Sequence, residues 1–161
     1  MRSVQALPEC VSSALCASCG IPIDARNFDE SSIVSAPDPG IEIVLASFSL
    51  PAEYCGTLQY FSQFTDLWAA NHTQIETSDL EWCIYANRRP IDPYLKWQHI
   101  VNPWGYGSFP LTVRLDERVL LEFSVRGVAV PTGTTRVTRV GGRLMGSYWY
   151  NPAHGDVVRG R

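Results

Sequence analysis

No apolar run in this chain is long enough to span a bilayer, and no glycine-rich loop of the phosphate-cradling kind interrupts it. The first absence excludes a membrane-spanning helix, and the second argues against a nucleotide-driven enzyme. Charge is also scarce, at 18% of residues, against roughly 25% in ordinary globular domains. Ser, Thr, Asn, Gln, Gly and Pro must therefore cover much of the surface. That suits a turn-rich β fold, or a protein whose surface is partly covered by neighbours. Beyond residue 40 there is no sustained helical periodicity.

The basic excess expected of a general nucleic-acid binder is missing as well. The formal net charge is −3 and the pI is near 5.5, so no direct nucleic-acid partner is expected. The charge is unevenly placed. Acids outnumber bases from Met1 to Leu80, whereas the closing segment carries Arg136, Arg139, Arg143, Arg159 and Arg161 against Asp156 alone. Such asymmetry fits a two-sided particle, or neutralisation between subunits.

The five cysteines, Cys10, Cys16, Cys19, Cys55 and Cys83, are an odd number for a closed disulfide scaffold. Cys55 and Cys83 lie in strand-like apolar runs, where a reduced cysteine acts as a small core residue. The N-terminus lacks a basic segment followed by an apolar core, so folding in a reducing cytoplasm is expected. Cys16 and Cys19 have zinc-like spacing, but a structural site needs four ligands and no second pair exists. Incidental cysteines are the reading, with no metal and no cofactor.

No other constellation announces a reaction. His72, His99 and His154 have no partner at helical metal spacing, and no serine sits in a nucleophile elbow. Carboxylates such as Glu53, Asp66, Glu81 and Glu122 are numerous, but spacing cannot bring two across a cleft. Asn71-His72-Thr73 matches a glycosylation sequon, which without a secretory route is coincidental. No catalytic residue is assigned and no enzyme is expected.

What is present is a series of strands. At 161 residues the chain suits one substantial core. "PECVSSALCASCG" reads as a short helix, with Pro8 in its first turn and Gly20 beyond its end. "IPIDARNFDESSIVSAPDPG" has little periodicity, so residues 1–40 are expected to form an irregular N-terminal arm, and 41–161 the folded domain. "IEIVLASFSL" is a strand stopped by Pro51. In "CGTLQYFSQF", strict alternation puts Gly56, Leu58 and Tyr60 on one face and Cys55, Thr57, Gln59 and Phe61 on the other. "LEWCIYA" alternates cleanly, with Leu80, Trp82, Ile84 and Ala86 on one side, before a turn at Asn87–Pro90.

"FPLTVRLDERVLLEFSV" reads as a hairpin turning at Asp116–Glu117, and Gly127–Val130 as a further strand. "RVTRVGGRLMGSYWY" reads as a closing strand, bent at Gly141–Gly142, with its arginines outward. Seven or eight such strands imply an all-β antiparallel sandwich of jelly-roll type.

Two aromatic groups are candidate surfaces. One surrounds a Pro/Gly loop and includes Trp97, Trp104 and Tyr106; the other contains Trp149. Exposed aromatics stack on sugars or anchor protein interfaces. With Arg136, Arg139 and Arg143, these are the candidate interface or ligand residues. A carbohydrate-binding module using the aromatic loop is the alternative reading.

The ordered runs "GIEIVLASFSLPAEYCGTLQYFSQFTD", "LEWCIYANRRPI", "VLLEFSVRG" and "GGRLMGSYWYNP" resemble the small β-sandwich accessory proteins of tailed bacteriophage virions, the decoration and connector proteins. The resemblance spans about Gly40 to Pro152. It implies a non-enzymatic virion subunit that forms a homo-oligomer, such as a trimer, and binds other virion proteins; no named functional residue carries over.

Overall fold

The computed structural model describes residues 21–66, 80–91, 108–128 and 137–151. Among them are eight strands: β1 (Arg26–Ser35), β2 (Glu42–Ser49), β3 (Tyr54–Thr65), β4 (Leu80–Ala86), β5 (Arg89–Pro90), β6 (Ser108–Leu115), β7 (Leu120–Gly127) and β8 (Arg139–Tyr150). They form two four-stranded antiparallel sheets, ordered β1-β8-β3-β6 and β2-β7-β4-β5. First pairs with last, second with seventh, third with sixth and fourth with fifth. An antiparallel ribbon of four such pairs, rolled so that alternate pairs fall in opposite sheets, is a jelly roll. The all-β expectation holds in this form.

The rolled ribbon corrects one reading directly. β6 and β7 do not form a hairpin: β6 pairs with β3, and β7 with β2 and β4. Both strands nonetheless line one core. Leu115, Leu121, Phe123 and Val125 are all at most 1% exposed. Two strands that line one core have the same alternation whether they pair side by side or face each other across it. Pattern alone cannot separate the two.

Among the described strands, the only consecutive pair joined within one sheet is β4–β5. Asn87 and Arg88 bridge the Tyr85–Pro90 and Ala86–Arg89 pairs with φ of 50° and 65°. Two positive φ values define the mirror-image hairpin turn that matches strand twist. Asn87 is further tied to Leu120, its amide donating to the Leu120 carbonyl at 2.9 Å and its side-chain oxygen accepting from the Leu120 amide at 2.8 Å.

Bulges decide which side chains enter the core. β3 shifts register against β8 between Leu58 and Tyr60. Leu58 and Phe61 therefore both point inward, at 0% and 2% exposure, while Tyr60 turns out. This reverses the expected faces of Tyr60 and Phe61, because one extra residue inverts the alternation. A second shift between Val44 and Ala46 of β2 buries both Leu45 and Ala46. The Ser32 hydroxyl donates to the Leu45 carbonyl at that irregularity.

Phe123 lies at the centre of the core, edge-on to Phe61 at 5.9 Å and tilted against Trp82 at 5.8 Å. Facing Phe123 and Trp82, and beside Phe61, runs β8, an interior strand of its sheet. It carries no bulge at Gly141–Gly142, since its register with β1 is unbroken from Arg139 to Tyr148. The glycines serve close approach instead. A Cβ on Gly142 would lie 2.7 Å from Phe123 Cδ1, and one on Gly146 would lie 2.6 Å from the Phe28 ring and 2.1 Å from the Thr57 carbonyl. Phe28 stacks on Phe48 at 4.1 Å, and Phe48 leads on to Tyr148 and Tyr54.

One further reading is corrected. The stretch expected to be a patternless arm contains β1, a ten-residue strand whose only buried residue is Phe28. An edge strand with one anchor leaves almost no periodic signal. Of the strand expected at Gly127–Val130, Gly127 closes β7 and Val128 is irregular, while residues 129 and 130 lie outside the described residues. A Cβ on Gly127 would lie 2.6 Å from the Asp38 carbonyl, and its amide donates to Ile41 O at 3.1 Å. The expected helix before Gly20 lies outside the described residues.

Gly146→Ala should lower the free energy of unfolding by about 1–3 kcal/mol or more, because the added methyl meets backbone that cannot yield. Urea denaturation checks this. By the same assay, Arg88→Gly should stabilise the fold by about 1 kcal/mol, relieving a left-handed backbone that a side chain disfavours.

Candidate interaction surface

Every second residue of β8 faces away from the core, and the neighbours of each follow from the register. Gly141 lies between Ile33 of β1 and Phe64 of β3; Arg143 lies between Ser31 and Ser62; Met145 lies between Asp29 and Tyr60. Because Gly141 has no side chain, the outer face dips there into a shallow groove between Ile33 and Phe64, with Arg143 at its end. Ile33 is 50% exposed and Tyr60 is 45% exposed. The outer face is thus partly apolar on either side of Arg143 and Asp29.

Arg143, one of the candidate interface residues, meets an acid of its own chain. Its guanidinium grips Asp29 of β1 through two parallel hydrogen bonds, Nε to Oδ1 at 2.6 Å and Nη2 to Oδ2. The hydrogen bond from Arg143 holds the Asp29 carboxyl below the usual carboxylate range, helped by the guanidinium's charge and opposed by slight burial. Both groups are about half exposed, so the pair contributes little to stability. What it does is fix the orientation of Arg143 along the strand.

Arg139 is exposed at the start of β8, opposite Ser35. Its carbonyl accepts from the Asp66 amide at 3.2 Å. Asp66 in turn accepts from the Thr138 amide at 3.1 Å and from the Thr138 hydroxyl. Burial pushes the Asp66 carboxyl up. The hydrogen bonds from Thr138 and Arg139 outweigh it and hold the group below its ordinary value.

Trp149 occupies the outer face yet is only 7% exposed. It lies opposite Cys55. Its indole N–H is buried without a hydrogen-bond partner among the described residues. Tyr148 and Tyr150 flank it on the other face and reach Tyr54 at 5.6 Å each. Three consecutive aromatics thus serve two faces of one strand end. Trp97, Trp104, Tyr106 and Arg136 lie outside the described residues, as do the three histidines.

The outer face of the second sheet differs. Cys83 and Ser124, paired in register, are 0% and 1% exposed. Burial pushes the Cys83 thiol up, and the neighbouring Tyr85 hydroxyl is raised as well, chiefly by burial. Such a thiol is not a nucleophile at neutral pH. Beside it Arg126 pairs with Glu81, with Nε 3.0 Å from Oε2. Among the described residues no three His, Cys, Asp or Glu side chains come close enough to hold a metal ion.

Ile33, Phe64, Tyr60 and Asp29 were not singled out by sequence. The one signal for Ile33 was a β-branched pair, Ile33-Val34, inside a stretch too polar to read as a strand.

No family model matches this chain, and no curated protein matches it. Among solved structures, a chain in the structure of infectious bursal disease virus, Gt strain, aligns with a TM-score of 0.44 at 8% identity, covering 91% of this chain and 40% of that one. The present chain thus spans less than half the length of that viral chain. The fold assignment rests on the strand order itself: the chain is an eight-stranded jelly roll.

The folded-state value of Asp66 lies below its unfolded one, so its contribution is present above the unfolded value and lost as pH falls through the folded one. Asp66→Ala should therefore cost about 1–2 kcal/mol at neutral pH. The gap to wild type should close below about pH 4, as measured by urea unfolding across a pH series.

Proposed function

We propose that this chain is a structural subunit of a viral particle, placed as a capsid-decoration or connector-associated protein that binds neighbouring virion proteins. The observation that carries the reading is the contrast between the inside and the outside of the jelly roll. Inside, Trp82, Phe123, Leu58 and Leu144 are each below 2% exposure and fill the space between the sheets. Outside, Ile33 and Tyr60 stand exposed on either side of the Arg143–Asp29 pair, on a protein that carries little charge overall. A filled interior with an adhesive exterior suits assembly better than turnover, and jelly rolls serve as capsid domains as well as lectins and cupins. The step from fold to particle is one of analogy between folds.

In this reading the chain is not an enzyme, self-associates as a homo-oligomer such as a trimer, and resides in the virion after folding in the host cytoplasm. Arg139, Arg143 and Trp149, with Trp97, Trp104, Tyr106 and Arg136, remain its proposed contact residues. The bidentate Asp29 grip makes Arg143 a donor of fixed direction rather than a free cation.

Density-gradient fractionation of the native source, with peptide mass spectrometry to locate the chain, tests this. Co-migration with intact particles is the expected result. Recovery confined to the soluble fraction would overturn it and favour a carbohydrate-binding module.

A further inference from the structure

Among the described residues the two open sheets have four edges, β1, β6, β2 and β5, and three of them are blunted. β5 is two residues long and ends in Pro90. β6 carries Pro110 and shifts register against β3. β2 is broken by its bulge between Val44 and Ala46. Short length, proline and bulges are the devices by which natural sheets avoid pairing with other chains. β1 has none of them. It runs ten residues in unbroken register with β8, and its side chains are exposed except at Phe28 and Ser32.

Its two halves differ. The first half holds Arg26, Asp29 and Glu30; the second, Ser31–Ser35, is uncharged and contains Ile33 and Val34, 50% and 36% exposed. The charged half resists self-pairing and the neutral half does not.

We infer that the Ser31–Ser35 half of β1 pairs antiparallel with the same segment of a second copy of this chain, Ile33 opposite Ile33, joining the two β1-β8-β3-β6 sheets edge to edge. Charge placement selects this register. Centring on Ile33 sets Ser31 against Ser35 and Ser32 against Val34, whereas centring on Glu30 would oppose two carboxylates. Apolar continuity selects it too. Ile33 faces outward beside Gly141 and Phe64, so the pair of isoleucines would link the two grooves into one row across the two-fold axis. A two-fold operation repeats one patch on both subunits, which a strand that fits itself satisfies. Five residue pairs make a small interface, so the dimer is weak in solution and gains strength where copies are held close. This deepens the assembly reading by naming the surface through which two copies meet, and rests on that reading for its setting.

The test uses the full chain at concentrations up to about 100 μM, where a small interface should still be populated. Light scattering after size exclusion should show a concentration-dependent dimer. Ile33→Lys should weaken it tenfold or more, while Val44→Lys, an exposed apolar residue on the bulged edge, should leave it unchanged. Circular dichroism checks that both variants remain folded. In a background of Cys10→Ser, Cys16→Ser and Cys19→Ser, oxidised Ile33→Cys should form a linked dimer faster than Val44→Cys. A wild-type chain that stays monomeric, an Ile33→Lys dimer as tight as wild type, or equal cross-linking at both sites would each overturn the inference. A monomer that co-migrates with particles would sink the edge pairing alone; a dimer found only in the soluble fraction would sink the virion reading alone.

Discussion

The two sheets pack over a strand, β8, whose inner face alternates bulky Val140 and Leu144 with bare Gly142 and Gly146. β8 is interior to its sheet, bonded to β1 on one side and β3 on the other, and its inner face presents Gly142 and Gly146. Leu45 and Phe123 press toward the first of these and Phe28 toward the second, at distances a methyl group would violate. Close-packed interiors transmit such constraints, because a displaced ring must move its neighbours. Phe123 touches Phe61 and Trp82, and Phe28 continues through Phe48 to Tyr148 and Tyr54. The two bare positions of β8 therefore let Phe123 from the facing sheet, and Phe28 from its own, lie close against its backbone.

The same strand shapes the outside. Its outward glycine, Gly141, lowers the surface between Ile33 and Phe64, and its outward arginine, Arg143, is held along the sheet by Asp29. At its far end Trp149 is buried on the outer face, while Tyr148 and Tyr150 pack with Tyr54. Glycine, arginine and aromatics in one closing segment look like a ligand motif when read in a line. Folded, they divide between two faces and three purposes: close approach inside, a directed cation outside, and an aromatic end.

Much of the fold was legible in the residues. The clean alternation of Leu80–Ala86 set Trp82 and Ile84 on one side of their strand, and both lie in the core at 0% exposure. Alternation depends on the local pleat, so it survives without knowledge of partners. It failed where one residue was inserted, at Gln59, which sends Phe61 inward and Tyr60 outward. It also failed at β1, where a single anchor, Phe28, leaves no period to detect. The candidate surface was legible only in part, since Arg139 and Arg143 could be placed outward but the residues beside them could not.

By itself the sequence determined the fold class, the faces of the regular strands and the turn at Asn87–Arg88, because each depends on neighbours within a few positions. Pairing was decided only in three dimensions. Whether Leu115 and Leu121 lie side by side or face to face, and whether Arg143 meets a partner or Asp29, depends on contacts across a hundred residues of chain. Those follow from how a rolled ribbon closes its core, which no local pattern encodes.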